Sequence, residues 1–105
     1  MFGIYAIKHK HHREIYIGRS SDIERRWRSH IRKLINNTHK NNMLQARWNE
    51  DPTSLEFLIL KEVSPPPFMY RYRFKILAHW EMFYYRKYRL LLYITYNEIK
   101  PSRVN

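Results

Sequence analysis

The sequence predicts a small α/β sandwich. Two observations carry that prediction. Residues 3–7, 14–17 and 55–63 are short runs rich in aromatic and β-branched side chains, as strands are. Three helical stretches lie between and after them. The expected order is β-β-α-α-β-α and a tail, giving a central three-stranded, mostly antiparallel sheet flanked by helices. The 105 residues are one domain by length, residues 1–105, and the 44% hydrophobic content supplies a single core.

Residues 8–13 form a polar, basic connection, so the first two strands make a hairpin with a loop longer than two residues. Side chains alternate across a strand. Tyr5 therefore shares a face with Ile7, and Tyr16 with Gly18. A suitable antiparallel register would put both tyrosines on one face, but the sequence leaves that register open.

Ser21 opens a helix through a capping box, Ser21-Asp22-Ile23-Glu24, in which Glu24 reaches back to the cap. Ile23, Trp27, Ile31 and Leu34 form its buried stripe. Arg26 and His30, four apart, lie one turn above the other beside that stripe. Asn36-Asn37-Thr38 ends the helix. Residues 41–49 form a shorter helix carrying Met43, Leu44 and Trp48, broken by Asp51-Pro52-Thr53. In the third strand Leu55, Phe57 and Ile59 share a face. Ser64-Pro65-Pro66-Pro67 is a stiff connector, because proline cannot continue a sheet ladder. A long aromatic-rich helix is expected over residues 70–88, and a short strand or extended tail over residues 92–99.

Lys and Arg total 20 against 9 acidic residues, a net charge of +11. Such charge on a small domain makes a polyanion the leading partner, and nucleic acid fits best. No apolar run approaches the ~18 residues of a spanning helix, so no membrane partner is expected. Lysines and histidines interrupt the first apolar stretch, which excludes a visible signal peptide. Cysteine is absent. Disulfides and thiolate metal sites are thereby excluded, in keeping with a reducing cytoplasm (the host's, for a viral chain).

Glu81 sits among Leu77, Trp80, Met82 and Phe83. It either faces solvent or is partly buried, and buried it needs a cation or a hydrogen-bond partner. A hard divalent metal such as Mg²⁺ is often held by one or two carboxylates, with water and phosphate completing the shell. Arg26 and His30 suit a phosphate, since the arginine fork matches its geometry and histidine exchanges a proton near neutral pH. On spacing alone they also fit an ordinary basic helix face. Tyr5 and Tyr16 either pack or position a water. A tyrosine acting as general base would need nearby positive charge to lower its pKa from ~10. His9, His11 and His12 read as a solvated loop touching phosphate rather than a transition-metal site.

Gly3-Ile4-Tyr5 and Tyr16-Ile17-Gly18 resemble the two defining motifs of the GIY-YIG nuclease family. Arg25-Arg26-Trp27 and His30 resemble the family's helix after the second motif. Glu81, in Glu81-Met82-Phe83-Tyr84-Tyr85, resembles its single metal-binding glutamate. Asn97 resembles the asparagine near its C-terminal edge, and His39 a histidine of the phage homing-endonuclease branch. The likeness covers residues 3–99. Adjacent Arg25 and Arg26 make the carried-over arginine ambiguous. Arg26 is favoured for its relation to His30, with Arg25 and His39 kept as further catalytic or DNA-contacting candidates.

The resemblance implies a divalent-metal-dependent endonuclease that hydrolyses phosphodiester bonds of DNA. Glu81 would hold Mg²⁺ or Mn²⁺. Tyr5, or a water it orients, would serve the nucleophile side. Arg26, His30 and Tyr16 would stabilise the transition state, and Asn97 would support the site. Lys8, Lys10, Arg13, Arg19, Arg71 and Arg73 are the expected nucleic-acid contacts. With the domain filling the chain, low or structure-dependent sequence specificity is expected, as a monomer or dimer, or with targeting by a partner protein. The rival reading is a binding module that keeps the fold without cutting, using residues 69–74 for stacking on single strands.

Overall fold

The first strand, β1 (Gly3–His9), is buried along nearly all its length, because it lies in the middle of the sheet. In the computed structural model, which describes residues 1–96, β2 (Glu14–Ser20) pairs antiparallel with it. The register sets Tyr5 against Gly18 and Ile7 against Tyr16. Paired residues share a face, so both tyrosines point to the same side.

Helix α1 (Ile23–Ile35) starts one cap later than the sequence suggested. Asp22, not Ser21, is the N-cap, and its carboxylate accepts from the Arg25 backbone N–H at 3.1 Å. Glu24 does not reach back to the cap. It takes the chain's α-amino group at 3.1 Å instead. The amino end is brought there by the Met1 carbonyl, which accepts from the Ile23 N–H at 2.8 Å. The helix ends as expected. Asn37 adopts a positive φ of 58°, a conformation asparagine tolerates at a helix end. Helix α2 (Asn42–Glu50) is capped by Asn41.

Strand β3 (Leu55–Glu62) pairs antiparallel with the other edge of β1, with a register shift between Ile4 and Tyr5. A β-carbon at Gly3 would run into the Lys61 carbonyl. Ile59 shares a strand face with Leu55 and Phe57 but is exposed, past the end of the core they enter. Residues 67–72 do not begin the long helix. They form tight 3₁₀ turns led by Pro67, and helix α3 (Arg73–Leu90) follows.

The three-stranded expectation is corrected by a fourth strand, β4 (Ile94–Thr95), parallel to β2 in the order β3-β1-β2-β4. This strand falls within the short strand or tail expected over residues 92–99, which the three-stranded expectation left out of the sheet. The sheet is therefore mixed. It separates two cores. Ile4, Ala6, Ile15 and Ile17 pack under α3 through Leu77 and Tyr85. Tyr5, Ile7, Ile23, Leu34 and Leu44 pack on the opposite face, under α1 and α2. The expected solvated histidine loop is corrected in part. His9 ends β1 as a buried residue, and its Nδ1 accepts from the His11 and His12 N–H groups at 3.1 Å each. Asn97 and residues 97–99 of the expected tail lie outside the described residues.

Candidate active site

The hairpin brings Tyr5 and Tyr16 to one face, with ring centroids 6.4 Å apart. Gly18 makes that possible. A β-carbon at Gly18 would collide with the Tyr5 hydroxyl and fall 2.8 Å from Tyr5 Cε1. The phenol occupies the space that only glycine leaves open. Trp27 of α1 meets the Tyr5 ring edge-on at 6.3 Å and fixes its other side.

His30, only 5% exposed, closes on the Tyr5 hydroxyl, with Nε2 2.7 Å from it. Its Nδ1 lies 2.7 Å from His39 Nε2, and the two imidazoles stack at 15°. His39 is held at both ends. Its backbone N–H donates to Gln45 Oε1 at 3.0 Å, and its Nδ1 accepts from the Asn41 N–H at 3.0 Å. That backbone donor sets the whole chain of protons. His39 Nδ1 accepts, so its Nε2–H donates to His30 Nδ1, and His30 Nε2–H donates to the Tyr5 oxygen. Both rings are neutral in this arrangement. Burial, the neighbouring imidazole and Arg26 push His30 down to about 3, and burial with Lys33 and Arg26 lowers His39. The Tyr5 hydroxyl is left with its own proton to donate elsewhere.

Tyr5, Tyr16, Gly18, Arg19, Arg26 and Glu81 line a cavity of about 270 Å³. Arg26 acts on both phenols, which raise its pKa in return. Arg25, its neighbour, lies along a separate cleft of about 630 Å³ with Arg28 and Arg32, into which Arg26 also opens. The condition set for a tyrosine general base, a pKa lowered by positive charge, is not met at Tyr5 in the resting site. Burial raises Tyr5 first of all, and Arg26 only partly opposes it. Tyr16 is raised by burial as well.

Glu81 projects from α3 and is 5% exposed. Burial raises its carboxyl to about 7, with Arg19 pulling the other way. Arg19 Nη1 is 3.8 Å from Glu81 Oε1, an ion pair too long for a hydrogen bond. Both atoms are buried without a hydrogen-bond partner. A buried polar atom with no partner is uncommon in a folded protein and points to a missing ligand. A hard cation fits a lone carboxylate oxygen facing a water- and phosphate-sized space. Among the described residues no three His, Asp or Glu side chains gather to enclose a metal by themselves. Most of such an ion's shell would thus come from water and phosphate.

The other expected contacts fall elsewhere. Arg13 donates to the Leu91 carbonyl at 2.9 Å and lies over the Tyr93 ring with Lys8. The Lys10 backbone N–H donates to the Ser54 carbonyl. Arg71 and Arg73 stack on aromatic rings of the 3₁₀ segment and the start of α3. None of the five lines the cavity. Sequence reasoning missed the support given by Asn41 and Gln45, and Arg19's place beside Glu81. The regular spacing of Arg25, Arg28 and Arg32 was a signal available for the α1 cleft.

Paired phenols, a guanidinium and a carboxylate whose Oε1 lacks a hydrogen bond thus line one cavity beside a mixed sheet. The chain matches the GIY-YIG catalytic domain over residues 1–90 and belongs to that family. It is 34% identical over 61 residues to intron-associated endonuclease 1 of Enterobacteria phage T4. That match covers 58% of this chain and 25% of the phage protein, so the chain spans about a quarter of that relative's length. Its fold is similar to the catalytic domain of intron endonuclease I-TevI in a mutant form, with a TM-score of 0.77, 25% identity and 96% of each chain covered. A second structure, of the catalytic domain of homing endonuclease I-TevI, aligns at a TM-score of 0.72 and 23% identity over 90% of this chain and 95% of that one. Among the described residues no helix is long and apolar enough to cross a membrane.

Proposed function

We propose that the chain is a divalent-metal-dependent DNA endonuclease of low or structure-dependent sequence specificity. The observation that carries this reading is the buried Glu81 Oε1 without a hydrogen-bond partner, facing the same cavity as Tyr5, Tyr16 and Arg26. The names of its relatives support nuclease chemistry, and the net charge of +11 supports a nucleic-acid substrate.

Glu81 would hold the cation, with water and the scissile phosphate completing its shell. When bound, Mg²⁺ or Mn²⁺ supplies Lewis-acid polarisation of the phosphate and stabilises the leaving oxygen. The protein's groups do the rest. Arg26 places a permanent positive charge against the phosphate oxygens, where charge grows in the transition state. Tyr5 accepts from His30, so its O–H is free to orient an attacking water. Burial keeps that phenol protonated in the resting site, which makes orientation its first task. Tyr16 adds a second hydroxyl to the same cavity. Binding rests mainly on phosphate contacts, which position DNA but read little sequence.

Supercoiled plasmid incubated with and without Mg²⁺ or Mn²⁺ tests the reading. Nicked circles should appear only with the cation, before linear product. Glu81→Ala should lose cutting and keep most DNA affinity. Cutting by Glu81→Ala at the wild-type rate would show that another group holds the metal.

A further inference from the structure

We infer that the exposed aromatic run from Phe68 to Phe74 is a stacking surface for unpaired nucleobases, so that the domain favours DNA with a single-stranded stretch beside the cut site. The inference rests on the DNA reading above and adds a substrate form to it.

Phe68, Tyr70 and Phe74 are 81%, 56% and 55% exposed, and Tyr72 is exposed with them. Large apolar rings gathered on one surface mark a binding site more often than chance. These rings are interleaved with cations. The Arg73 guanidinium lies 4.4 Å from the Tyr70 ring centroid and 4.6 Å from that of Phe74, and Arg71 lies 5.5 Å from Tyr72. A protein partner that bound by burying this patch would have to cover both arginines. A nucleic-acid strand suits them, since its bases have faces for the rings and its phosphates suit the guanidinium groups.

Position supports the same occupant. Tyr70, Arg73 and Phe74 line a cavity of about 470 Å³ together with Phe2 and Ser21. Ser21 also borders the cleft of Arg25, Arg28 and Arg32 on α1. Arg26 borders that cleft and the cavity of Tyr5, Tyr16 and Glu81. Aromatic pocket, arginine cleft and catalytic cavity thus lie next to one another, with Ser21 and Arg26 at their shared borders. The far end carries exposed rings for unpaired bases. Duplex bases are already stacked on one another and offer no face to Tyr70 or Phe74, whereas a flap, a branch or a gapped strand does.

The test is binding, measured without cleavage in the absence of divalent cation. Fluorescence anisotropy would compare a labelled single strand, an abasic strand of equal length and a blunt duplex. The variants are Tyr70→Ala and Tyr72→Ala, singly and together, which spare the edge-on contact of Phe74 with Phe2. Stacking contributes enough per base that each variant should weaken single-strand binding roughly 5- to 100-fold. Duplex binding should stay within about twofold of wild type, and the abasic strand should bind wild type and variants alike. A thermal melt unchanged from wild type shows that the variants are folded.

An equal loss on duplex and single strand, or no loss on either, overturns the stacking surface and leaves the nuclease reading intact. A wild-type dimer that the variants dissociate, seen by sedimentation, assigns the patch to a second copy and likewise overturns it. Failure of the wild-type chain to bind any of the three oligonucleotides overturns both readings.

Discussion

Gly18 lies directly across the ladder from Tyr5, and the β-carbon it lacks is what leaves room for the Tyr5 phenol. The glycine is needed for space, since no glycine among the described residues has a positive φ. Gly18→Ala should therefore push the Tyr5 ring off His30 rather than strain the backbone. Overpacking of this kind costs about 1–3 kcal/mol. The variant should melt lower yet stay folded, with cleavage reduced at least tenfold if the phenol must hold its place. Wild-type cutting by a folded Gly18→Ala protein would show that the position of Tyr5 is not critical.

Tyr5→Phe keeps the ring between Gly18 and Trp27 and removes only the oxygen that receives the His30 proton. It should fold and bind DNA. Its single-turnover cleavage should fall by about 10²-fold, the cost of losing a group that positions the reacting water. Loss of affinity with unchanged turnover would move Tyr5 from chemistry to substrate binding.

Arg26→Ala should cost more activity than Arg25→Ala. Arg26 alone of the two reaches the phenols and the Glu81 cavity, while Arg25 lines the outer cleft. Arg25→Ala should instead weaken DNA binding and lessen its salt dependence, as loss of one phosphate contact does. Measuring kcat and Kd for both variants at two salt concentrations separates these effects. The opposite pattern would mean that the outer cleft holds the scissile phosphate.

Much of this arrangement is local enough to read from sequence. The hairpin and the Asn36-Asn37-Thr38 stop follow from period and turn chemistry, and of the expected stripe Ile23 and Leu34 are buried, while Trp27 and Ile31 are only partly so. The shared face of Tyr5 and Tyr16 does not. It depends on register, which the Gly18–Tyr5 pair helps to fix. Glu14 is less legible still. It is buried, held by Arg47 through two contacts of 2.7 and 2.6 Å, and takes the Tyr96 hydroxyl at 2.6 Å. Arg47 is 33 residues away and Tyr96 is 82, so no window of sequence contains that network. It ties α2 and Tyr96, just after β4, to the start of β2, and β4 itself is two residues long. The protonation of Tyr5 was also beyond sequence. Composition shows how many arginines there are but not how deeply the phenol is buried.

The neutral histidine relay makes stability depend on pH in a predictable direction. His30 titrates at about 3 in the folded chain against 6.5 for an ordinary histidine, because it is buried beside His39 and Arg26. His39 and His9 are lowered too, burial being the largest cause for each. Below 6.5 the unfolded chain takes up protons that these folded imidazoles refuse. The histidines' share of stability is therefore complete above that value and falls as pH drops from 6.5 toward 3, while Glu81, raised to about 7 by burial, works in the opposite direction between 7 and 4.5. His30 alone contributes a slope of up to about 1.4 kcal/mol per pH unit across that window. Glu14 adds a second loss at lower pH. Burial raises its pKa, but hydrogen bonds from Arg47 and Tyr96 outweigh it and hold the carboxyl below 4.5. Its stabilisation is present above 4.5 and disappears as pH falls through the depressed value. Urea unfolding at half-unit intervals from pH 7.5 to 4 would measure the slope. His30→Gln keeps a hydrogen-bonding side chain but cannot charge, so its stability curve should be flatter than wild type by about one proton between pH 6 and 5. Parallel curves for the two proteins would show that His30 is as easily protonated folded as unfolded, and that it does not hand a fixed proton to Tyr5.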